Sequence, residues 1–316
     1  MPQAVSSSAP LSAVSEPDGV LLVDKPAGMT SHDVVSRVRR LFGTRKVGHT
    51  GTLDPMATGV LVVLIGRAAK ASEYVSHDVK AYRATLRLGL VTDTQDTGGT
   101  ILSVTDPRRL PGPEALEAVL PRFRGEIMQL PPMYSALKVG GRKLCDLARR
   151  GEVVEREARP VQIFSLEAVP GALPSDYVLS VTCGGGTYIR TLCADIGDAL
   201  GCGGVMASLR RTQAGGFALS DCLTLPALEA MEPAARLACL RPAEVLFAHL
   251  PRLTLSPFFT GLCRNGCPLY QHKLGTAFAP GTRVRLCDSQ GRFFALGESR
   301  QTEEGLMLVM IKLLVL

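Results

Sequence analysis

The chain has 316 residues, 46% hydrophobic and 20% charged, enough to bury a sizeable core in one large domain plus a small one or in two comparable ones. Its apolar runs are short and its first residues lack a charged region followed by an apolar one, which argues against a membrane-spanning chain and reads as a soluble cytoplasmic protein. A net charge of +6 leans towards a polyanionic partner, and nine cysteines without disulfide-like spacing read as reduced core residues.

Met1 to about Pro17 is rich in Ser, Ala and Pro without any period, and is predicted to be a disordered tail. Gly19 to Val23 is the first predicted strand, and Asp24 to Gly28 turns the chain. Val34, Val35, Val38, Leu41 and Phe42 then recur at helical spacing between a Thr30 or Ser31 cap and a Gly43 stop. Gly48 to Gly59, G-H-T-G-T-L-D-P-M-A-T-G, holds too much glycine and proline for a helix interior or a central strand, so it is a tight loop. Val60 to Ile65 follows as a buried strand. The loop is thus clamped between a helix and the core. Its one acidic residue, Asp54, precedes Pro55, which restricts it to extended conformations and aims its carboxylate reproducibly, as a catalytic group requires. Taken alone, the pair also fits an ordinary turn.

Ala68 to Val75 is predicted as a short helix and Val79 to Leu90 as a strand, with Tyr82, Ala84, Leu86 and Leu88 on one face and Arg83, Thr85 and Arg87 on the other. Thr92 to Gly99 is a polar turn, shorter than a calcium loop and without its terminal Glu. Pro113 to Phe123 reads as a helix, and Gln129 to Lys138 as a proline-fixed segment. Val161 to Val169 and Asp176 to Cys183 read as strands. The second runs into Gly184-Gly-Gly-Thr-Tyr-Ile-Arg190 and a helix burying Ile189, Leu192, Cys193, Ile196, Ala199 and Leu200. Arg190 falls off that apolar stripe, near the positive end of the helix dipole, which hints at an anionic partner there. Neither G-x-G-x-x-G nor G-x-x-x-x-G-K-[ST] occurs, so no nucleotide cofactor is expected.

Pro226 to Leu246 is mostly helical. Beyond about Pro251, short strands and turns at Cys263 to Pro268, Pro280 to Leu286, Phe293 to Gly297 and Leu306 to Leu316 suggest a small β-barrel or sandwich. Arg37, Arg39, Arg40, Arg45 and Lys46 precede the Asp54 loop, and Lys138, Arg142, Lys143, Arg149 and Arg150 form a second cluster; either is a solvated face alone, and together they suggest a phosphate track. Cys263, Cys267, His272 and Cys287 lack zinc-site spacing, so no metal is assigned.

At G-H-T-G-T-L-D-P-M-A-T-G the chain closely resembles the TruB family of pseudouridine synthases. The likeness continues in G-V-L-L-V-D-K-P-A-G-M-T-S-H from Gly19, K-A-Y-R-A from Lys80, T-D-T-Q-D from Thr92, P-P-M-Y-S-A-L-K from Pro131 and G-T-Y-I-R-T-L from Gly186. R-N-G-C-P-L from Arg264 is similar to a PUA domain. The resemblance implies an α+β fold: a mixed, largely antiparallel sheet with flanking helices and loops, plus a small C-terminal β-barrel. It divides the chain into a tail (1–18), a catalytic domain (19–248) and a PUA-like RNA-binding domain (249–316). It implies isomerisation of uridine 55 in the T-loop of tRNA by a monomer, with base flipping and without metal or cofactor.

By the same resemblance Asp54 is the nucleophile, Tyr82 stacks on the base and takes its C5 proton, and Arg190 pairs with Asp54. His49 fills the space the base leaves, Tyr188 and Leu209 line the pocket, and Asp96 and Lys70 join the substrate contacts. Val205 stands where this family often has His. The chemistry is coherent: a carboxylate nucleophile, a proton acceptor and a closed pocket suffice, and a nearby Arg is expected to lower the Asp54 pKa. A phospho-aspartyl enzyme would place its Asp before Thr-Gly-Thr, whereas here Asp54 follows that tripeptide. A catalytically silent RNA-binding protein would not need Asp54, Tyr82 and Arg190 together.

Overall fold

Residues Gly19–Lys25 (β1) form a strand two residues longer than the predicted one, because Lys25 turns inward and is wholly buried instead of starting the turn. The computed structural model describes residues 16–75, 79–135, 137–152 and 154–315. The tail expected up to residue 15 lies outside them. Glu16 to Asp18, read as the end of that tail, are docked: Lys46 pairs with Glu16 at 2.8 Å and the Ala68 amide donates to Asp18 at 3.1 Å.

Helix α1 (Ser31–Phe42) begins and ends where its caps dictate. The Thr30 side chain accepts from the Asp33 amide while Asp33 accepts from the Thr30 amide, and Gly43 closes the helix in the left-handed conformation, φ 63°. Its apolar face, Val34, Val35, Val38 and Phe42, packs with Leu21, Val23, Leu61 and Val63. These come from β1 and from β3 (Thr58–Ile65); the short β2 (Val47–His49) pairs with β3 as well.

The next strand, β4 (Lys80–Leu88), alternates as predicted, with Tyr82, Ala84, Leu86 and Leu88 all buried. The segment before it, Gly66–Tyr74, is a 3-10 helix. The predicted Pro113 to Phe123 helix is α-helical only over Pro113–Val119 (α2) and then 3-10 from Leu120, where Pro121 removes a backbone donor. Strands β5 (Gly125–Gln129), β6 (Arg159–Pro170) and β7 (Asp176–Cys183) follow, then α3 (Ile189–Ala199), β8 (Gly204–Ala214), β9 (Phe217–Ala218) and β10 (Leu223–Thr224). In space the order is β10-β1-β3-β8-β4-β7-β6-β5, with β9 on β8 and β2 on β3. Among the described strands of this sheet, only β1 with β10 and β3 with β8 pair in parallel. The class is α+β with a mixed, largely antiparallel sheet. Helix α3 lays Ile189, Leu192, Cys193 and Ile196 on the Tyr82 face of β4, and Leu116, Leu120 and Leu209 complete that core.

The C-terminal stretch makes a second sheet from β11 (Arg252–Thr254), β12 (Leu269–Tyr270), β13 (Arg283–Cys287), β14 (Phe293–Thr302) and β15 (Gly305–Leu313), in the order β11-β13-β14-β15-β12. Of Cys263 to Pro268, expected among its short strands and turns, Cys263 and Arg264 end a helix, α4 (Pro257–Arg264), capped by Ser256, and the rest leaves it as a turn. The signal was legible: Ser before Pro with Phe259, Leu262 and Cys263 at helical spacing.

This module is not a free appendage. Cys287, Phe293, Leu296 and Leu314 share one cluster with Val20, Val60, Val62 and Leu64 of the main sheet. Burying each such side chain contributes about 1.5–3 kcal/mol. Removal of residues 249–316 should therefore cause a large drop in melting temperature, read by circular dichroism. An unchanged melting temperature would show that the shared cluster contributes little.

Candidate active site

The Asp54 loop is held from beneath by α1 and by a buried lysine. The Ser31 hydroxyl accepts from the Leu53 amide at 2.8 Å, and Lys25 Nζ donates to the carbonyls of Met29 at 2.5 Å, Pro26 at 2.9 Å and Pro55 at 3.2 Å. The Ala57 amide donates to the Asp54 carbonyl at 3.0 Å, closing the turn that Pro55 initiates. Burial depresses the Lys25 pKa to about 8, against the opposing pull of the Asp54 carboxylate.

Beyond the loop, β3 and β8 approach so closely that only glycine fits at position 59. Gly59 has φ 102°, and a Cβ there would lie 2.1 Å from the Arg211 carbonyl oxygen. Gly59→Ala is expected to destabilise the fold by more than about 3 kcal/mol, since strain and a backbone clash coincide. Denaturant unfolding measures it, and a loss below about 1 kcal/mol would mean the strands can part cheaply.

Arg190 reaches Asp54 across 136 residues of sequence and clamps it with two contacts, Nε to Oδ2 at 2.9 Å and Nη2 to Oδ1 at 3.2 Å. The same guanidinium donates to the carbonyls of Tyr134 at 2.7 Å and Thr94 at 3.0 Å, and lies 3.8 Å from Asp96 Oδ2. Arg190 is 5% exposed while the Asp54 side chain is 31% exposed, so the cation is the buried wall and the carboxylate faces the opening. The anion hinted at by an arginine at a helix N-terminus is Asp54 itself. The expected direction of the Asp54 pKa is corrected: burial raises it, and Arg190 offsets this only in part while Asp96 adds to the rise.

Tyr82 is 8% exposed, and Leu209 from β8 shares its cluster. Burial raises the Tyr82 pKa, with Arg211 opposing. Tyr188 caps α3 and is held through its backbone: its amide donates to Gln129 Oε1 at 3.0 Å, and Gln129 Nε2 returns a bond to its carbonyl at 3.2 Å. His49 ends β2; burial and then Arg211 lower its pKa, which favours a neutral ring, and its buried Nδ1 has no partner among the described residues. Asp54, Arg190 and Asp96 are thus in contact, and Tyr82 and Leu209 pack in one core with Leu53, Ala57 and Met56.

Lys70 is not brought to this group. It sits exposed on the 3-10 helix that follows Ile65, the end of β3 opposite Thr58. The first basic cluster also divides. Arg37 pairs with Glu229, Arg39 donates to the Val47 carbonyl and Lys46 pairs with Glu16, so these three support the fold. Val205 is fully buried. Lys25, Gln129 and Arg211 belong to the site without having been singled out in the sequence. Lys25 and Gln129 lie inside or beside segments read only as strand, turn and linker, and no local pattern distinguishes them.

A carboxylate clamped by a buried arginine beside a buried tyrosine, on a mixed sheet with a small β module, defines a site suited to nucleophilic chemistry. Residues 39–189 match the family model described as TruB family pseudouridylate synthase (N terminal domain), and residues 190–248 that of the tRNA pseudouridylate synthase B C-terminal domain. Among the relatives, tRNA pseudouridine synthase B of Chromobacterium violaceum is 46% identical over 288 residues, 90% of this chain and 91% of that protein. The Aromatoleum aromaticum protein of the same name is 44% identical over 281 residues, 89% and 88% of the two chains. The chain belongs to the TruB family of pseudouridine synthases, which are isomerases. A solved Cbf5-Nop10-Gar1 complex aligns with TM-score 0.69 at 26% identity, covering 95% of this chain and 85% of its own. No helix among the described residues is long and apolar enough to cross a membrane.

Proposed function

We propose that this protein converts uridine 55 in the T-loop of tRNA to pseudouridine, with Asp54 as nucleophile. The reaction conserves mass: the N1–C1′ bond breaks, a C5–C1′ bond forms, the C5 proton leaves and N1 gains one. Asp54 attacks the flipped-out nucleotide while Arg190 fixes the carboxylate. Tyr82 stacks on the uracil, and its phenol takes the C5 proton as it passes its own on towards N1, so that the hydroxyl ends as it began; Tyr188 and Leu209 enclose the base. His49, neutral and at the edge of the sheet, takes the place of the extruded base in the loop. Asp96 acts on the substrate through Arg190, and Lys70 meets tRNA phosphate away from the reacting base. Extruding the base costs a few kcal/mol, offset by stacking of about 1–3 kcal/mol and by phosphate contacts. The enzyme works as a cytoplasmic monomer, and the reaction draws on no metal or organic cofactor. Residues 249–316 form a PUA-like module that grips tRNA; the separate five-stranded sheet supports that boundary.

The observation that carries this reading is the two-point Asp54–Arg190 clamp, with Tyr82 packed in one core with the residues flanking Asp54. The test is tritium release from tRNA carrying C5-tritiated uridine, in the presence of chelator. Release equal to the pseudouridine formed, and none from tRNA with cytidine at position 55, is expected. Release from the cytidine-55 tRNA, or pseudouridine at a different position, would overturn the assignment of the site in tRNA.

A further inference from the structure

Arg211 is 2% exposed and ranks among the largest buried side chains, yet its hydrogen bonds run to neutral acceptors. Nε donates to the Val60 carbonyl at 2.7 Å and Nη2 donates to the Gly51 carbonyl at 3.1 Å, while the buried Tyr82 stands directly opposite Arg211 on the neighbouring strand. Among the described residues it forms no ion pair with a carboxylate within 4.0 Å. A buried cation satisfied by neutral groups alone is costly, and an apolar side chain of similar length would fill the same volume without that cost. Packing therefore does not account for an arginine here.

These three neighbours belong to three parts of the site. Val60 lies on β3, Gly51 opens the loop that ends in Asp54, and Tyr82 faces Arg211 directly across β4 and β8. The pairing of β8 with β4 shifts register immediately beyond this contact, between Arg211 and Gln213, so the side chain sits where the two strands re-aim. A planar fork with several donors in fixed geometry can hold both carbonyls and still present donors towards Tyr82; the single ammonium of a lysine meets such a set less rigidly.

We propose that Arg211 is a positioning residue for the isomerisation, tying the loop of the nucleophile to the Tyr82 hydroxyl so that the two groups acting on one base keep a fixed spacing. The proposal rests on the reading of Tyr82 as the group facing the base. A displacement of about 1 Å in such a site can slow chemistry on the order of 100-fold without loss of binding.

The test is a double-mutant cycle under single-turnover conditions, with full-length protein in excess over tRNA and tRNA affinity measured separately. Arg211→Met should slow pseudouridine formation by about 30-fold or more with tRNA affinity within about threefold, and Arg211→Lys should fall between it and wild type. In a Tyr82→Phe background the Arg211→Met loss should shrink to about threefold, because the hydroxyl it orients is already gone. Equal fold losses in both backgrounds, or a wild-type rate for Arg211→Met, would overturn the proposal while leaving a slow Tyr82→Phe enzyme to support Tyr82. Wild-type turnover by Tyr82→Phe would instead remove the Tyr82 reading, and this one with it. If Arg211→Met fails to fold by circular dichroism, the same cycle with Arg211→Lys decides by the same criteria.

Discussion

Asp54→Asn is expected to lower the single-turnover rate by at least about 10⁴-fold while tRNA affinity changes by less than about threefold, because an amide cannot replace the carboxylate as nucleophile, whereas affinity for nucleic acid rests mainly on phosphate contacts. The near-isosteric amide keeps the turn that Pro55 sets, so folding should be preserved. Measurable pseudouridine formation by the pure variant would exclude Asp54 as the nucleophile. The wild-type enzyme carries a second signature of the same residue. Burial raises the Asp54 pKa and the ionised form is the reactive one, so activity must be lost as pH falls through a value above that of an ordinary carboxylate. The acid limb of kcat/KM, which reports the free enzyme, should lie correspondingly high. An acid limb below the usual carboxylate range would mean that Arg190 outweighs burial.

Arg190→Met should damage both catalysis and stability. It leaves Asp54 and Asp96 without their shared cation, and the Thr94 and Tyr134 carbonyls without a donor. Removing one partner of a largely buried pair costs about 3–5 kcal/mol, because the remaining charge stays desolvated. Turnover should fall at least about 10³-fold, since the carboxylate loses both its orientation and its counter-charge. Arg190→Lys keeps the charge but cannot make the two-point clamp and the two carbonyl bonds together, so it should recover stability more than rate. Denaturant unfolding and single-turnover kinetics separate the two effects. A stable, active Arg190→Met protein would show that the clamp is dispensable.

Features written in local sequence appear where the residues place them. Thr30, Asp33 and Gly43 bound α1 because capping depends on groups within one turn of the helix end. The alternation from Tyr82 to Leu88 put those side chains on the buried face because strand periodicity is intrinsic to the backbone. The motif around Asp54 and that from Thr92 lie mainly in loops and turns, where residue identity reflects chemistry more than packing. Two local readings gave way: Cys263 and Arg264 end a helix and the residues up to Pro268 leave it as a turn, and Glu16 and Asp18 are tied to the body by residues distant in sequence.

The sequence by itself determined the helix that supports the Asp54 loop, the apolar face of β4 and the three longer strands of the C-terminal module. Tertiary structure alone decided the electrostatics. The contact of Asp54 with Arg190, the second carboxylate of Asp96 on that arginine, the burial of Lys25 and Arg211 and the upward shift of the Asp54 carboxyl all join residues from separate strands and loops. Desolvation depends on everything that packs around a charge, and no neighbour in sequence records it.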